Sequence, residues 1–162
     1  GSIYVYSEQG EGSTIKIYWP ATEENFKKEE AIQRAEEIKG TENVLFVEDD
    51  ENVRRFGVTS LKSLGYKVYS AENGKVALNM IKEQGLDFEI VITDLIMPEL
   101  NGKAFVKKLQ DVYPKAKVIY VSGYTDNHIV HNGLLEEGIN FIHKPYSISE
   151  LALNIRKVLN TK

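Results

Sequence analysis

From residue 42 to residue 160 the chain repeats one alternation: a short apolar, β-rich run, then an amphipathic stretch of helical length, then the next apolar run. The apolar runs fall at 44–47, 67–70, 88–93, 117–121 and 139–142. The amphipathic segments fall at 51–64, 74–84, 102–112, 126–137 and 148–160, with Gly65, Gly74, Gly85, Gly102, Gly123 and Gly138 at the boundaries. Five strands in strict alternation with five helices imply a parallel sheet covered on both faces. Crossovers in such sheets are right-handed, and ligands bind beyond the carboxyl ends of the strands. The residues that carry function are therefore expected just after each strand.

Those positions are occupied by chemistry. The run Ile90-Val91-Ile92-Thr93 leads into Asp94, and the turn Leu95-Ile96-Met97-Pro98-Glu99-Leu100-Asn101-Gly102 follows. Val44-Leu45-Phe46-Val47 leads in the same way into Glu48-Asp49-Asp50. The fourth strand ends at Ser122-Gly123 and the fifth delivers Lys144-Pro145. Carboxylates, a hydroxyl and an ammonium on one rim suit a divalent cation together with a phosphoryl group. Clustered carboxylates repel one another unless a cation neutralises them, and oxygen ligands without His or Cys favour Mg²⁺ or a similarly hard ion.

Taken singly, each residue has a plainer reading. Acids after a strand commonly sit at a helix N-terminus, where the dipole favours them. Asp94 could be a turn aspartate, Ser122 a strand-end hydroxyl capping backbone, and Lys144 a surface lysine. Their joint placement on successive strand ends is what displaces these readings.

Composition narrows the field further. The chain has 162 residues, 42% hydrophobic and 27% charged, which is ordinary for a folded domain with an appendage. A net charge of −4 argues against nucleic acid as a partner. The absence of cysteine excludes disulfides, thiolate metal sites and a Cys nucleophile. No apolar run has the length of a membrane span, so the expectation is a cytoplasmic domain without direct membrane contact. His128 and His131 are three apart but lack a third ligand nearby, and His143 is expected to pack or to be half exposed rather than to catalyse.

Residues 1–41 are of a different kind. Ile3-Tyr4-Val5-Tyr6-Ser7 and Thr14-Ile15-Lys16-Ile17-Tyr18-Trp19, joined by Glu8-Gln9-Gly10-Glu11-Gly12-Ser13, predict a hairpin ending at Pro20. A lone hairpin is marginal in water, so this one should need a further sheet. Tyr4, Tyr6, Tyr18 and Trp19 suit packing in such a sheet better than base stacking. Residues 21–41 are dense in charge, with Phe26, Ile32, Ala35 and Ile38 as a narrow apolar stripe and Gly40 as a stop, and they predict a solvated helical linker.

Residues 42–160 resemble the response-regulator receiver domains of two-component signalling. The resemblance rests on Val47-Glu48-Asp49-Asp50, the Asp94–Gly102 turn, Val121-Ser122-Gly123 and His143-Lys144-Pro145 in order, with Ala71-Glu72-Asn73-Gly74 as a further match. It implies a flavodoxin-like (βα)5 fold with parallel sheet order 2-1-3-4-5. It also implies that Asp94 accepts a phosphoryl group from a phosphohistidine. By the same resemblance Mg²⁺ is held by Glu48, Asp49, Asp94 and the backbone carbonyl of Ile96, with Asp49 the more direct of the first two. Lys144 would pair with the phosphate, Ser122 would hydrogen-bond it, and Lys144–Pro145 would be a cis peptide. Ser122 and Phe141 take the switch positions, Phe141 turning inward on phosphorylation. Ile96 and Tyr124 are expected to flank the phosphorylated carboxylate and to obstruct water.

The N-terminal hairpin resembles the end of a histidine-kinase ATP-binding domain, whose glycine-containing turn lies beside the nucleotide lid. The expected organisation is then a kinase-derived hairpin at 1–20, a charged linker at 21–41 and a receiver at 42–162, all from a hybrid histidine kinase. The segment carries no histidine-bearing dimerisation helices and no asparagine-bearing part of an ATP site, so it is expected neither to bind ATP well nor to phosphorylate itself from ATP. Implied partners are the phosphohistidine donor domain of a kinase and a downstream histidine phosphotransfer protein; the hairpin or linker offers a route to dimers. The alternatives are a free-standing single-domain regulator, a pseudo-receiver serving as a binding module, and a phosphatase-like hydrolase. The hydrolase is disfavoured because Ile96 stands where such enzymes carry a second Asp.

Overall fold

Period-two alternation along the central strands decides the layering. Strand residues such as Leu45, Val47, Val91, Val118 and Tyr120 face one way, while Val44, Phe46, Ile90, Ile92, Ile119 and Val121 face the other. Both sets are buried, so each face of the sheet must be covered. The computed structural model describes residues 1–21, 38–123 and 139–161. Within them the order is β1 (Ser2–Glu8), β2 (Gly12–Tyr18), β3 (Asn43–Val47), α1 (Glu51–Ser63), β4 (Lys67–Ala71), α2 (Gly74–Gln84), β5 (Ile90–Asp94), α3 (Gly102–Val112), β6 (Lys117–Ser122), β7 (Phe141–His143) and α4 (Ile148–Asn160).

The chain divides into two compact units, Gly1–Ala31 and Ile32–Lys162. In the larger, five parallel strands lie in the order β4-β3-β5-β6-β7, which is 2-1-3-4-5 within this segment. Helices α2 and α3 cover one face through Ala77, Ile81, Phe105, Val106 and Leu109. Helices α1 and α4 cover the other through Leu61, Leu151, Ile155 and Val158. This is the flavodoxin-like strand order that the resemblance implies. Each buried large aliphatic or Phe side chain contributes about 1.5–3 kcal/mol, and these two clusters are what hold the strand ends in register.

The helix starts are fixed by local side chains. Asp50 accepts from the backbone N–H groups of Asn52 and Val53, Asn73 from Val76, Asn101 from Ala104, and Ser147 from Glu150. Two strands begin later than their apolar runs suggest. The run at 88–93 becomes a strand at Ile90, because Glu89 spends its carboxylate on the Asn43 N–H, 2.7 Å away. That at 139–142 becomes a strand at Phe141, and the Asn140 side-chain amide donates to the Val118 carbonyl. Just ahead of β3, Ile38 is buried and its carbonyl accepts from the Tyr66 hydroxyl. The rest of the expected linker helix (22–37), the expected helix at 126–137, and Tyr124, His128 and His131 lie outside the described residues.

The smaller unit contains the predicted hairpin. Strands β1 and β2 pair antiparallel from Ser2↔Tyr18 to Glu8↔Gly12. Alternation places Ile3, Val5, Ile15 and Ile17 on one face and Tyr4, Tyr6, Lys16 and Tyr18 on the other. Tyr4 meets Tyr18 edge to face at 5.8 Å, and the Lys16 ammonium lies over the Tyr6 ring. Every residue of both strands is exposed.

Candidate functional site

The carboxyl ends of β3, β5, β6 and β7 bring the expected residues onto one rim. Glu48 follows β3, Asp94 closes β5, Ser122 closes β6, and Lys144 follows β7. The Lys144 ammonium lies 2.6 Å from Oδ2 of Asp94 and 2.6 Å from Oε2 of Glu48. Backbone bonds set that reach, since Lys144 N–H donates to the Ser122 carbonyl at 2.8 Å and Leu95 N–H to the Val121 carbonyl at 2.9 Å. The Lys144–Pro145 peptide is cis, as expected.

Asp94 has both carboxylate oxygens engaged, for Oδ1 accepts the Ile96 N–H at 2.9 Å while Oδ2 accepts Lys144. The turn after it is tight. Gly102 N–H returns to the Leu95 carbonyl at 3.1 Å, and a Cβ at Gly102 would collide with the Asp94 carbonyl oxygen. Glu99 takes φ 60 in this turn, a conformation few non-glycine residues adopt. Its carboxylate pairs with Lys75 at 3.1 Å.

Glu48, Asp49 and Asp94 each present a carboxylate oxygen within 4.8 Å of the others. At an effective dielectric of about 20, like charges at that spacing repel by about 3 kcal/mol per pair. Positive charge must offset this, and Lys144 supplies part of it. Glu48 is 2% exposed. Burial pushes its carboxyl above the usual range, against the pull of Lys144. Burial works against the Lys144 ammonium too, but the hydrogen bonds to Asp94 and Glu48 outweigh it and hold Lys144 above its ordinary value. Burial also raises the Tyr146 phenol to about 12, leaving a neutral neighbour to this charged group.

The other expected residues fall as follows. Ser122 is buried at the end of β6, and Phe141 is half-buried with its ring edge-to-face against His143 at 4.7 Å. His143 itself is exposed. Ile96 leaves its side chain 48% exposed beside Asp94. Asp50 stands apart from the acidic group and caps α1 instead. One contributor was not legible in the sequence: Arg54 on α1 turns its guanidinium back onto the carbonyls of Glu48 and Asp49, at 2.5 and 3.0 Å. An arginine on an amphipathic helix carries no signal that separates this from a surface role.

The donor set suits a hard divalent cation: three carboxylates, no nitrogen or sulfur ligand, and an edge open to solvent at Asp49. At the opposite end of the sheet a cavity of about 810 Å³ is lined by Phe88, Tyr113, Lys117 and Arg156 among others. Within its lining, Arg156 pairs with Glu42, and Lys117 donates to the carbonyls of Leu159 and Thr161. That cavity takes no part in the rim.

Comparison with known proteins places this geometry. The sequence profile of the response regulator receiver domain family matches residues 44–156. The chain is 35% identical over 167 residues to sensor kinase CckA of Brucella abortus, a match covering 98% of this chain and 18% of that kinase. It is 28% identical to the response regulator receiver protein CpdR of the same organism, covering 72% of this chain and 95% of that protein. Among solved structures, the receiver domain of the hybrid histidine kinase CckA superposes with a TM-score of 0.61 at 32% identity, over 73% of this chain and 99% of that domain.

Proposed function

This chain belongs to the response regulator receiver family, and we propose that it is the Mg²⁺-dependent phosphoacceptor domain of a hybrid histidine kinase, taking a phosphoryl group from a phosphohistidine onto Asp94. The observation that carries this reading is the Lys144 ammonium 2.6 Å from Asp94, with the Glu48 and Asp49 carboxylates gathered beside it. A carboxylate oxygen of Asp94 attacks the phosphorus, the phosphorus–nitrogen bond of the donor breaks, and the imidazole leaves with the electron pair. The product is an acyl phosphate on Asp94. Transfer of this kind needs little besides positioning and charge compensation.

Glu48, Asp49, Asp94 and the carbonyl of Ile96 are the groups that would hold Mg²⁺, which supplies positive charge against the phosphoryl oxygens. Lys144 follows the new charge, passing its hydrogen bond from the carboxylate to a phosphoryl oxygen. The Ser122 hydroxyl takes another phosphoryl oxygen, and Phe141 moves inward as the β6 end closes on Asp94.

The wider context is supported by the extent of the CckA similarity, which spans nearly the whole chain rather than the receiver alone. Residues 1–20 are read as the closing hairpin of a kinase ATP-binding domain, 21–41 as a linker and 42–162 as the receiver. The exposed aliphatic face of Ile3, Val5, Ile15 and Ile17 supports that reading, because a two-stranded hairpin needs a partner surface to be stable. The partners are then a kinase phosphohistidine domain as donor and a histidine phosphotransfer protein downstream, in the cytoplasm. No helix among the described residues is long and apolar enough to cross a membrane.

Incubation with an autophosphorylated histidine-kinase domain tests the reading. Label should pass to the chain in Mg²⁺, fail to pass in chelator, and fail to pass to Asp94→Asn. Label that stays on the histidine, or that reaches Asp94→Asn equally, contradicts it.

A further inference from the structure

Loop 48–50 carries two of the three clustered carboxylates and is anchored from both sides. Glu48 N–H donates to the Ala71 carbonyl at 3.1 Å, which ties the loop to the end of β4. Asp50 caps α1 through Asn52 and Val53, and Arg54 N–H donates to the Asp50 carbonyl at 2.9 Å. The remaining backbone acceptors, the carbonyls of Glu48 and Asp49, are both taken by one nitrogen, Nη1 of Arg54, at 2.5 and 3.0 Å. Amide and carbonyl of Glu48 are thus both hydrogen-bonded, which restrains its flanking peptide planes. The carboxylates of Glu48 and Asp49 stay in the group with Asp94 although like charge would splay them apart; Lys144 draws Glu48 there, and the held backbone sets where both side chains start.

We infer that Arg54 is a positioning residue for the divalent cation: its guanidinium locks the two carbonyls so that the Glu48 and Asp49 carboxylates converge with Asp94 before a cation arrives. This rests on the Mg²⁺-dependent reading above and adds to it a residue that touches neither cation nor phosphoryl group. Groups that orient ligands in this way typically account for 10–100-fold in metal affinity. A lysine shares the charge, but its single ammonium sits on a shorter reach and lacks the planar fork, so it should restore the lock only in part.

The test uses the full chain as wild type, Arg54→Ala and Arg54→Lys. Mg²⁺ affinity is read by calorimetry, and phosphorylation by acetyl phosphate is followed as a function of Mg²⁺ concentration. Arg54→Ala should weaken Mg²⁺ by about 10–100-fold, move the half-maximal Mg²⁺ concentration up in proportion, and regain the wild-type rate at saturating Mg²⁺. Arg54→Lys should fall between the two. A purely structural role would lower thermal stability without moving the Mg²⁺ midpoint, and an unchanged midpoint in Arg54→Ala overturns the inference. If Arg54→Ala does not fold, Arg54→Lys decides it, since a midpoint equal to wild type overturns the inference equally. Should wild type itself neither bind Mg²⁺ nor be phosphorylated, the phosphoacceptor reading fails and this inference falls with it; wild type active with unshifted variants removes only the role of Arg54.

Discussion

Lys144 and Asp94, fifty residues apart in sequence, meet at 2.6 Å between Nζ and Oδ2. The same ammonium reaches Glu48 at the same distance, so it serves as internal counter-cation to two of the three clustered acids. It therefore competes for the charge that a divalent ion would use. Lys144→Met should bind Mg²⁺ at least about tenfold more tightly, since a unit charge a few ångströms away is worth about that much or more even at high effective dielectric. Phosphorylation by a small phosphodonor should nonetheless slow. Calorimetry with Mg²⁺ checks the first half, and weaker binding by the variant would show that Lys144 assists the cation instead of opposing it.

The half-exposed Ile96 side chain stands next to Asp94, the proposed phosphoacceptor, and offers water no hydrogen bond. Ile96→Asn, which can orient a water, should shorten the phosphoaspartate lifetime by about fivefold, close to 1 kcal/mol of barrier. Decay of the phosphorylated mass with time measures it. Equal or longer lifetime in the variant removes the shielding role.

Gly102 is required by close approach rather than by dihedral freedom. Gly102→Ala would place a methyl group against the Asp94 carbonyl oxygen and force the turn outward, at about 1–3 kcal/mol. Urea denaturation should show the loss, and Mg²⁺ affinity should fall because Asp94 moves. A variant within about 0.5 kcal/mol of wild type would mean that the turn yields at little cost.

The Glu42–Arg156 pair lies away from the site and predicts an acid limb to stability. Burial alone would raise the Glu42 carboxyl, but the Arg156 hydrogen bond at 2.5 Å, backbone N–H donors and the Arg156 charge together outweigh burial and hold it below the usual range. A carboxyl lowered in the folded state stabilises above its unfolded pKa, and that contribution is lost as pH falls through the folded value. Glu42→Gln should therefore be about 1 kcal/mol less stable near neutrality, a value discounted for partial exposure. The difference should close as pH falls through the folded-state value of Glu42, below the ordinary carboxylate range. A gap that persists unchanged into acid would assign it to packing instead of charge.

The alternation of apolar runs and glycine boundaries made the parallel sheet and its rim legible, because such a sheet forces functional groups to its carboxyl ends; the strand order was legible only through the family resemblance. Asp94, Glu48 and Lys144 could be read together for the same reason. Other features depend on contacts that no local pattern encodes. Arg54 differs from a solvated helix arginine only in where its guanidinium folds. Asp50 looks equivalent to Asp49 in sequence, yet it caps α1, because it occupies the position from which a carboxylate reaches the N–H groups of Asn52 and Val53. Ile38 belongs to the apolar stripe of the charged stretch, but the bond from the Tyr66 hydroxyl to its carbonyl could not be read there. The start of β5 at Ile90 instead of residue 88 reflects the Glu89 side chain's bond to Asn43, a tertiary contact that overrides the apolar run.

Intact-mass spectrometry after incubation with Mg²⁺ and acetyl phosphate, with Asp94→Asn in parallel, tests the central claim most directly. The account predicts one added phosphoryl group on wild type, none on Asp94→Asn, and none on either protein in chelator. No adduct on wild type despite measurable Mg²⁺ binding, or an adduct retained by Asp94→Asn, would contradict it.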